Sequence, residues 1–115
     1  MLHCALYQEN IDIRDRLRRS LNRKRVSFLP FSEFAELEDL VKEHILDLVV
    51  IGGKGKFEAE LKLARRIKKH PILSLTPLVL YHPRPEKKVV LSGLDYGADE
   101  FFFSRWDTKL LGCKL

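Results

Sequence analysis

The residues of this chain that could do chemistry are few and lie far apart. Gly52-Gly53-Lys54-Gly55 follows a strongly apolar run, as the glycines of a phosphate-binding loop do. The six-residue glycine spacing and the closing Lys-Ser/Thr pair of that motif are missing, so the plainer reading is a tight turn at positive φ. Backbone N–H groups there, helped by Lys54 and Lys56, could still hold an anion. Glu9 and His82 form a second combination. A carboxylate and an imidazole suit an acid–base couple or half of a metal site, provided the fold brings them to one edge. The plainer reading of His82 is a loop residue beside Pro83. His3, His44 and His70 form no ligand motif, and Ser104 has no base at an identifiable spacing. Cys4 and Cys113 stand near opposite ends and match neither metal nor redox spacing. We therefore expect no catalytic residue, no metal site and no cofactor.

The elements that would position these residues alternate along the chain. Leu2 to Tyr7 reads as a first strand. Ile13, Leu17 and Leu21 put one apolar stripe on a basic helix over Asp12 to Arg23. Val26, Phe28 and Phe31 indicate a second short strand with a turn at Pro30. Ser32 would cap a helix whose buried side is Phe34, Leu37, Leu40 and Val41. Ile45 to Ile51 is apolar except for Asp47, the pattern of a central strand covered on both faces. Phe57, Leu61, Ala64 and Ile67 mark a third helix, stopped by Pro71. Leu78 to Tyr81 gives a fourth strand. Val89, Val90, Leu91 and Leu94 give a fourth helix ending at Gly97, and Phe101 to Phe103 a fifth strand. Trp106 begins a short last helix. Five strands alternating with helices predict an α/β, doubly wound five-stranded parallel sheet with helices on both faces.

Bulk properties agree with one such domain. The 115 residues are 45% hydrophobic and 32% charged, with a net charge of +5. That length supports a single core. Apolar runs are too short for a membrane span, and Met1-Leu2-His3-Cys4 does not open like a secretory signal. The expected setting is cytoplasmic and reducing. Basic residues crowd Arg14 to Arg25 and Lys54 to Lys69, with acids Glu33 to Glu43 between them. A basic surface favours acidic partners, nucleic acid included, although solvated helix faces are the plainer reading. The short last helix leads us to expect the N-terminal part of a longer regulatory protein.

Several stretches resemble the response-regulator receiver (CheY-like) family of two-component signalling. Ile11-Asp12-Ile13-Arg14 is similar to that family's first-helix entry, and Asp47 to Ile51 to the run before its phosphoacceptor. Ile67 to Leu80 resembles the end of the third helix, its loop and the fourth strand. Gly93-Leu94-Asp95-Tyr96-Gly97-Ala98-Asp99-Glu100-Phe101 is close to the family's G-L-x-x-G-A-D-D-Y segment. The resemblance covers nearly the whole chain and implies strand order 2-1-3-4-5.

The family's phosphoryl transfer needs two acids for a magnesium ion, a nucleophilic aspartate, a hydroxyl and a lysine. Carried over position by position, the acids fall on Gln8 and Glu9, the nucleophile on Gly52, the hydroxyl on His82 and the lysine on Ser104. The proline after the lysine becomes Arg105, and the aromatic of the fifth strand is Phe101. Glu9 alone keeps its type, and a hard cation needs more oxygens than that. The resemblance thus implies a pseudo-receiver that binds protein partners without phosphorylation and is not an enzyme.

The family docks partners on the face of its fourth helix, fifth strand and fifth helix. Here that face would carry Leu91, Tyr96, Phe101, Phe102 and Trp106, rimmed by Lys87, Lys88, Asp95 and Lys109. Core packing is the plainer reading of those aromatics. The expected partner is another protein or an output domain in signal transduction or transcription regulation, or a second copy forming a homodimer through that face. No membrane partner is expected, and nucleic acid only through an attached domain. Two alternatives stand: nucleic-acid binding by the basic first and third helices, and small-molecule sensing in the vacated pocket.

Overall fold

The computed structural model describes residues 2–7, 15, 19, 25–53, 56–82 and 86–102. Its strands are β1 (Leu2–Tyr7), β2 (Val26–Phe31), β3 (Leu48–Gly52), β4 (Leu78–Tyr81) and β5 (Glu100–Phe102). Its helices are α1 (Phe34–Glu43), α2 (Glu58–Lys68) and α3 (Lys87–Asp95), with a 3₁₀ turn at Leu73–Leu75. The strands form one sheet in the order β2-β1-β3-β4-β5, and every pairing is parallel. This is the expected doubly wound arrangement and order.

Alternation along each strand sorts the core into two layers. Ala5, Tyr7, Phe31, Val49, Ile51, Leu78, Leu80 and Phe101 face one side. There they meet Leu37 of α1, Ala64 and Ile67 of α2, and Val89 of α3. Cys4, Leu6, Leu48, Val50, Val79 and Tyr81 form a second buried cluster on the other side. The helix expected over Asp12 to Arg23 is represented by Asp15 and Arg19, both helical and exposed. Its other residues, and the segment from Trp106, lie outside the described residues. Among the described residues no helix is long and apolar enough to cross a membrane.

Four local expectations change. Pro30 lies inside β2, paired with Leu6, and not at a turn. β2 is an edge strand, where a residue without an N–H is tolerated. Helix α1 starts one residue later than a Ser32 cap implies. The Glu36 carboxylate reaches back to accept the N–H groups of Ser32 and Glu33 at 3.3 and 3.2 Å, which satisfies donors left unpaired at the helix start. The third strand begins at Leu48. Asp47 precedes it, clamped by the His3 N–H to its Oδ2 at 2.8 Å and by its own N–H to the His3 carbonyl at 2.9 Å. Ile45, read as part of the buried run, is 85% exposed. Finally, Gly52 and Gly53 do not adopt positive φ. Among the described residues that conformation belongs to Gly97 (φ 102) and Phe57 (φ 63).

Candidate functional site

Ligand sites of open parallel sheets sit at the carboxyl ends of the strands. At this edge β3 ends on Gly52, which pairs with Tyr81 at the end of β4. The Gly53 N–H extends the ladder to the Tyr81 carbonyl at 3.0 Å. His82 follows β4 directly and is 4% exposed. One strand over, Phe101 pairs with Leu80.

The space between these strand ends is occupied by a ring. Phe57, the residue before α2, is buried and lies edge-on to His82, with centroids 5.4 Å apart and an interplanar angle of 89°. Its other neighbour is Phe101, at 5.8 Å and 61°. Phe57 takes a left-handed backbone to place its ring there, a conformation that costs a bulky residue roughly 1–3 kcal/mol. Burial against two aromatic partners holds it in that well. Gly53 is required by the same packing. A Cβ there would stand 2.9 Å from Phe57 Cε2 and 3.0 Å from Glu60 Cδ. The glycine therefore permits a close approach, not the positive-φ turn expected from the sequence.

Chemically, this edge offers an imidazole and two phenyl rings around a strand end without a side chain. Among the described residues, no group of three His, Cys, Asp or Glu could hold a metal ion. Gly52 and His82 stand at the ends of adjacent strands. Gln8, Glu9 and Ser104 lie outside the described residues, so the Glu9–His82 couple does too. Phe57 is the residue that sequence reasoning missed here. Periodicity makes it only a helix-face marker, and the signal that could find it is a bulky aromatic in a capping position.

The expected partner face is placed in part. Lys87, Lys88, Leu91 and Asp95 are exposed on α3, the fourth helix read from the sequence, and Tyr96 is half-buried after it. Leu94, not anticipated there, is also exposed on α3. The Arg65 guanidinium lies 5.5 Å over the Tyr96 ring. Arg65, Lys68, Lys69, Asp95 and Tyr96 line a groove of about 330 Å³. Phe101 requires a correction: at 8% exposure it belongs to the core and offers nothing to a partner. Its place in β5 points it at Phe57 and the helices. The side chains of Phe102, Trp106 and Lys109 lie outside the described residues.

No protein-family model matches this chain, and none of the curated proteins matches its sequence. Solved structures do match its fold. A response regulator from Thermotoga maritima is similar at a TM-score of 0.76 and 16% identity, over 99% of this chain and 93% of that one. An orphan response regulator of H. pylori is similar at 0.73 and 18%, over 98% of this chain and 92% of the other. An atypical orphan response regulator is similar at 0.69 and 18%, over 95% and 90%. The fold is therefore that of response-regulator receiver domains, the CheY-like arrangement.

Proposed function

We propose that the chain is a pseudo-receiver, a signalling domain that acts by protein–protein contact without aspartyl phosphorylation. The observation that carries this reading is the end of β3. In a receiver fold, Gly52 stands where the resemblance puts the nucleophile, and the Phe57 ring fills the adjoining space between His82 and Phe101. A glycine cannot accept a phosphoryl group, and a buried imidazole edge-on to a ring is a poor substitute for the hydroxyl. One structural neighbour is described as an atypical orphan regulator with a phosphorylation-independent regulatory mechanism. That description lends the reading further support.

The partner, in this reading, is an output domain or a separate regulatory protein. It docks on α3, where Leu91 and Leu94 supply exposed apolar contacts and Lys87 and Lys88 a basic rim. Small-molecule sensing in the vacated pocket loses ground because the Phe57 ring takes the space beside His82 and Phe101. Nucleic-acid binding keeps the exposed Lys62, Arg65 and Arg66 of α2, but the neighbouring α1 exposes Glu36, Asp39 and Glu43 and breaks the footprint.

The test is treatment of the chain with acetyl phosphate and Mg²⁺, followed by intact-mass measurement. The expected spectrum shows no phosphoryl adduct. A hydroxylamine-labile adduct would overturn the reading.

A further inference from the structure

Helix α2 and the residue that caps it carry four cations at a regular spacing. Lys62, Arg65, Arg66 and Lys69 stand at i, i+3, i+4 and i+7, the repeat of one helix face. All four are exposed, while Ala64 and Ile67 put the opposite face in the core. Glu58 shares the stripe one turn earlier, leaving four cations against one carboxylate. At the rise of an α-helix the four cations span roughly 10 Å. Among the described residues none of them belongs to an ion pair, whereas the neighbouring Lys68 is taken up by Asp99. Attraction to the helix dipole accounts for cations in the last turn. It does not account for Lys62, which lies before that turn, nor for the gathering of all four on one face.

The two arginines are held by rings on either side. Arg66 Cζ lies 4.3 Å from the centroid of Phe34, at the start of α1. Arg65 lies over Tyr96, just past the end of α3. Phe34 packs against the core and Tyr96 is half-buried, so both rings are anchored. A guanidinium resting on an anchored ring keeps its fork of N–H donors for a ligand and loses less freedom when one binds. A groove adjoins each ring. The one beside Phe34 has about 460 Å³ and is lined also by Lys62, Leu63, Arg66, Glu33 and Glu38. The one beside Tyr96 is the groove of about 330 Å³ that Lys69 and Asp95 share.

We infer that this stripe is a second docking surface, separate from the α3 contact, and that its occupant is an acidic helical segment of a partner protein. Charge complementarity sets the sign of the occupant. The forks of Arg65 and Arg66 suit carboxylates, which they can bind two oxygens at a time. A helix with glutamates at i, i+3, i+4 and i+7 presents those carboxylates at the repeat of the stripe. The banks favour a polypeptide over nucleic acid. Glu33 and Glu38 bound the stripe on the α1 side and Asp95 on the α3 side. A duplex, with phosphates on two strands, brings negative charge onto these carboxylates. One acidic helix covers the cations and passes between them.

Fluorescence anisotropy of the full chain with a labelled Ala/Glu helical peptide, its glutamates at i, i+3, i+4 and i+7, tests this. The wild type is expected to bind at low salt and more weakly as salt rises. Arg65→Gln/Arg66→Gln is expected to raise the dissociation constant at least about tenfold. Lys62→Gln/Lys69→Gln, which leaves both ring contacts intact, should raise it as well. Lys87→Gln/Lys88→Gln removes the same charge from α3 and should change it by less than about twofold. All of these residues are exposed, so melting temperatures should stay close to that of the wild type. A wild type that does not bind at low salt would overturn the inference. Equal weakening by the α2 and α3 pairs would overturn it too, by reducing the binding to net charge. A short DNA duplex that binds more tightly than the peptide, and is lost in the α2 variants, would overturn it in favour of nucleic acid.

Discussion

Lys68 Nζ stands 3.2 Å from Asp99 Oδ2, and that same oxygen accepts the Leu78 N–H at 2.7 Å. The ammonium also holds the Ser74 and Thr76 carbonyls, so its three donors are all used. One contact thereby ties the end of α2, the 3₁₀ turn, the start of β4 and the approach to β5. Lys68→Met keeps the apolar stem but removes every bond. It is expected to destabilise the fold by about 1–3 kcal/mol, since part-buried carbonyls lose their donor. Asp99→Asn retains an acceptor for Leu78 and should cost less. Urea midpoints at constant m-value would rank the two variants.

The Gly53–Phe57 contact yields a non-additivity prediction. Gly53→Ala drives a methyl against a ring that His82 and Phe101 prevent from moving, at an expected cost of about 1–3 kcal/mol. Phe57→Ala removes a buried ring and is expected to cost about 3–5 kcal/mol. With the ring gone the clash disappears, so the double variant should cost less than the two singles together. Additive losses would mean that Gly53 matters for some other reason than this close approach.

Under the proposed function, Gly52→Asp alone does not create a phosphorylation site. The new carboxylate would sit at a buried position beside a ring-packed His82, without the hydroxyl that the resemblance expects there. Intact mass after acetyl phosphate treatment is expected to stay unchanged. The melting temperature should fall, because a charge is being placed in a desolvated setting.

Cys4 is buried in β1, and burial pushes its thiol from 9.0 up to about 12. The folded value lies above the unfolded one, so the native state holds the proton longer. The contribution to stability is therefore complete below about pH 9 and declines as pH rises from there towards 12. Cys4→Ala should flatten that alkaline decline in a series of denaturation curves. Native Cys4 is also expected to resist alkylation at neutral pH and to react once the chain is unfolded, which peptide mapping can read.

By itself the sequence determined the layer plan. Apolar runs bounded by turns placed β1 and β4 to the residue, and alternation with amphipathic helices required a parallel sheet. Periodicity is a local property, and strands buried on both faces advertise it. The resemblance likewise assigns Gly52 and His82 to one edge of the sheet. Only the tertiary structure decided the rest, because each remaining feature depends on neighbours distant in the chain. Pro30 is admissible in a strand only once β2 is known to be an edge. Gly53 is explained by the Phe57 ring, and Phe57 by rings on β5 and after β4. Phe101 lies in β5 and Ile45 just before β3, both in apolar runs, and nothing local separates them. The fold covers the first with helices, which takes Phe101 out of the partner face, and leaves the second in water.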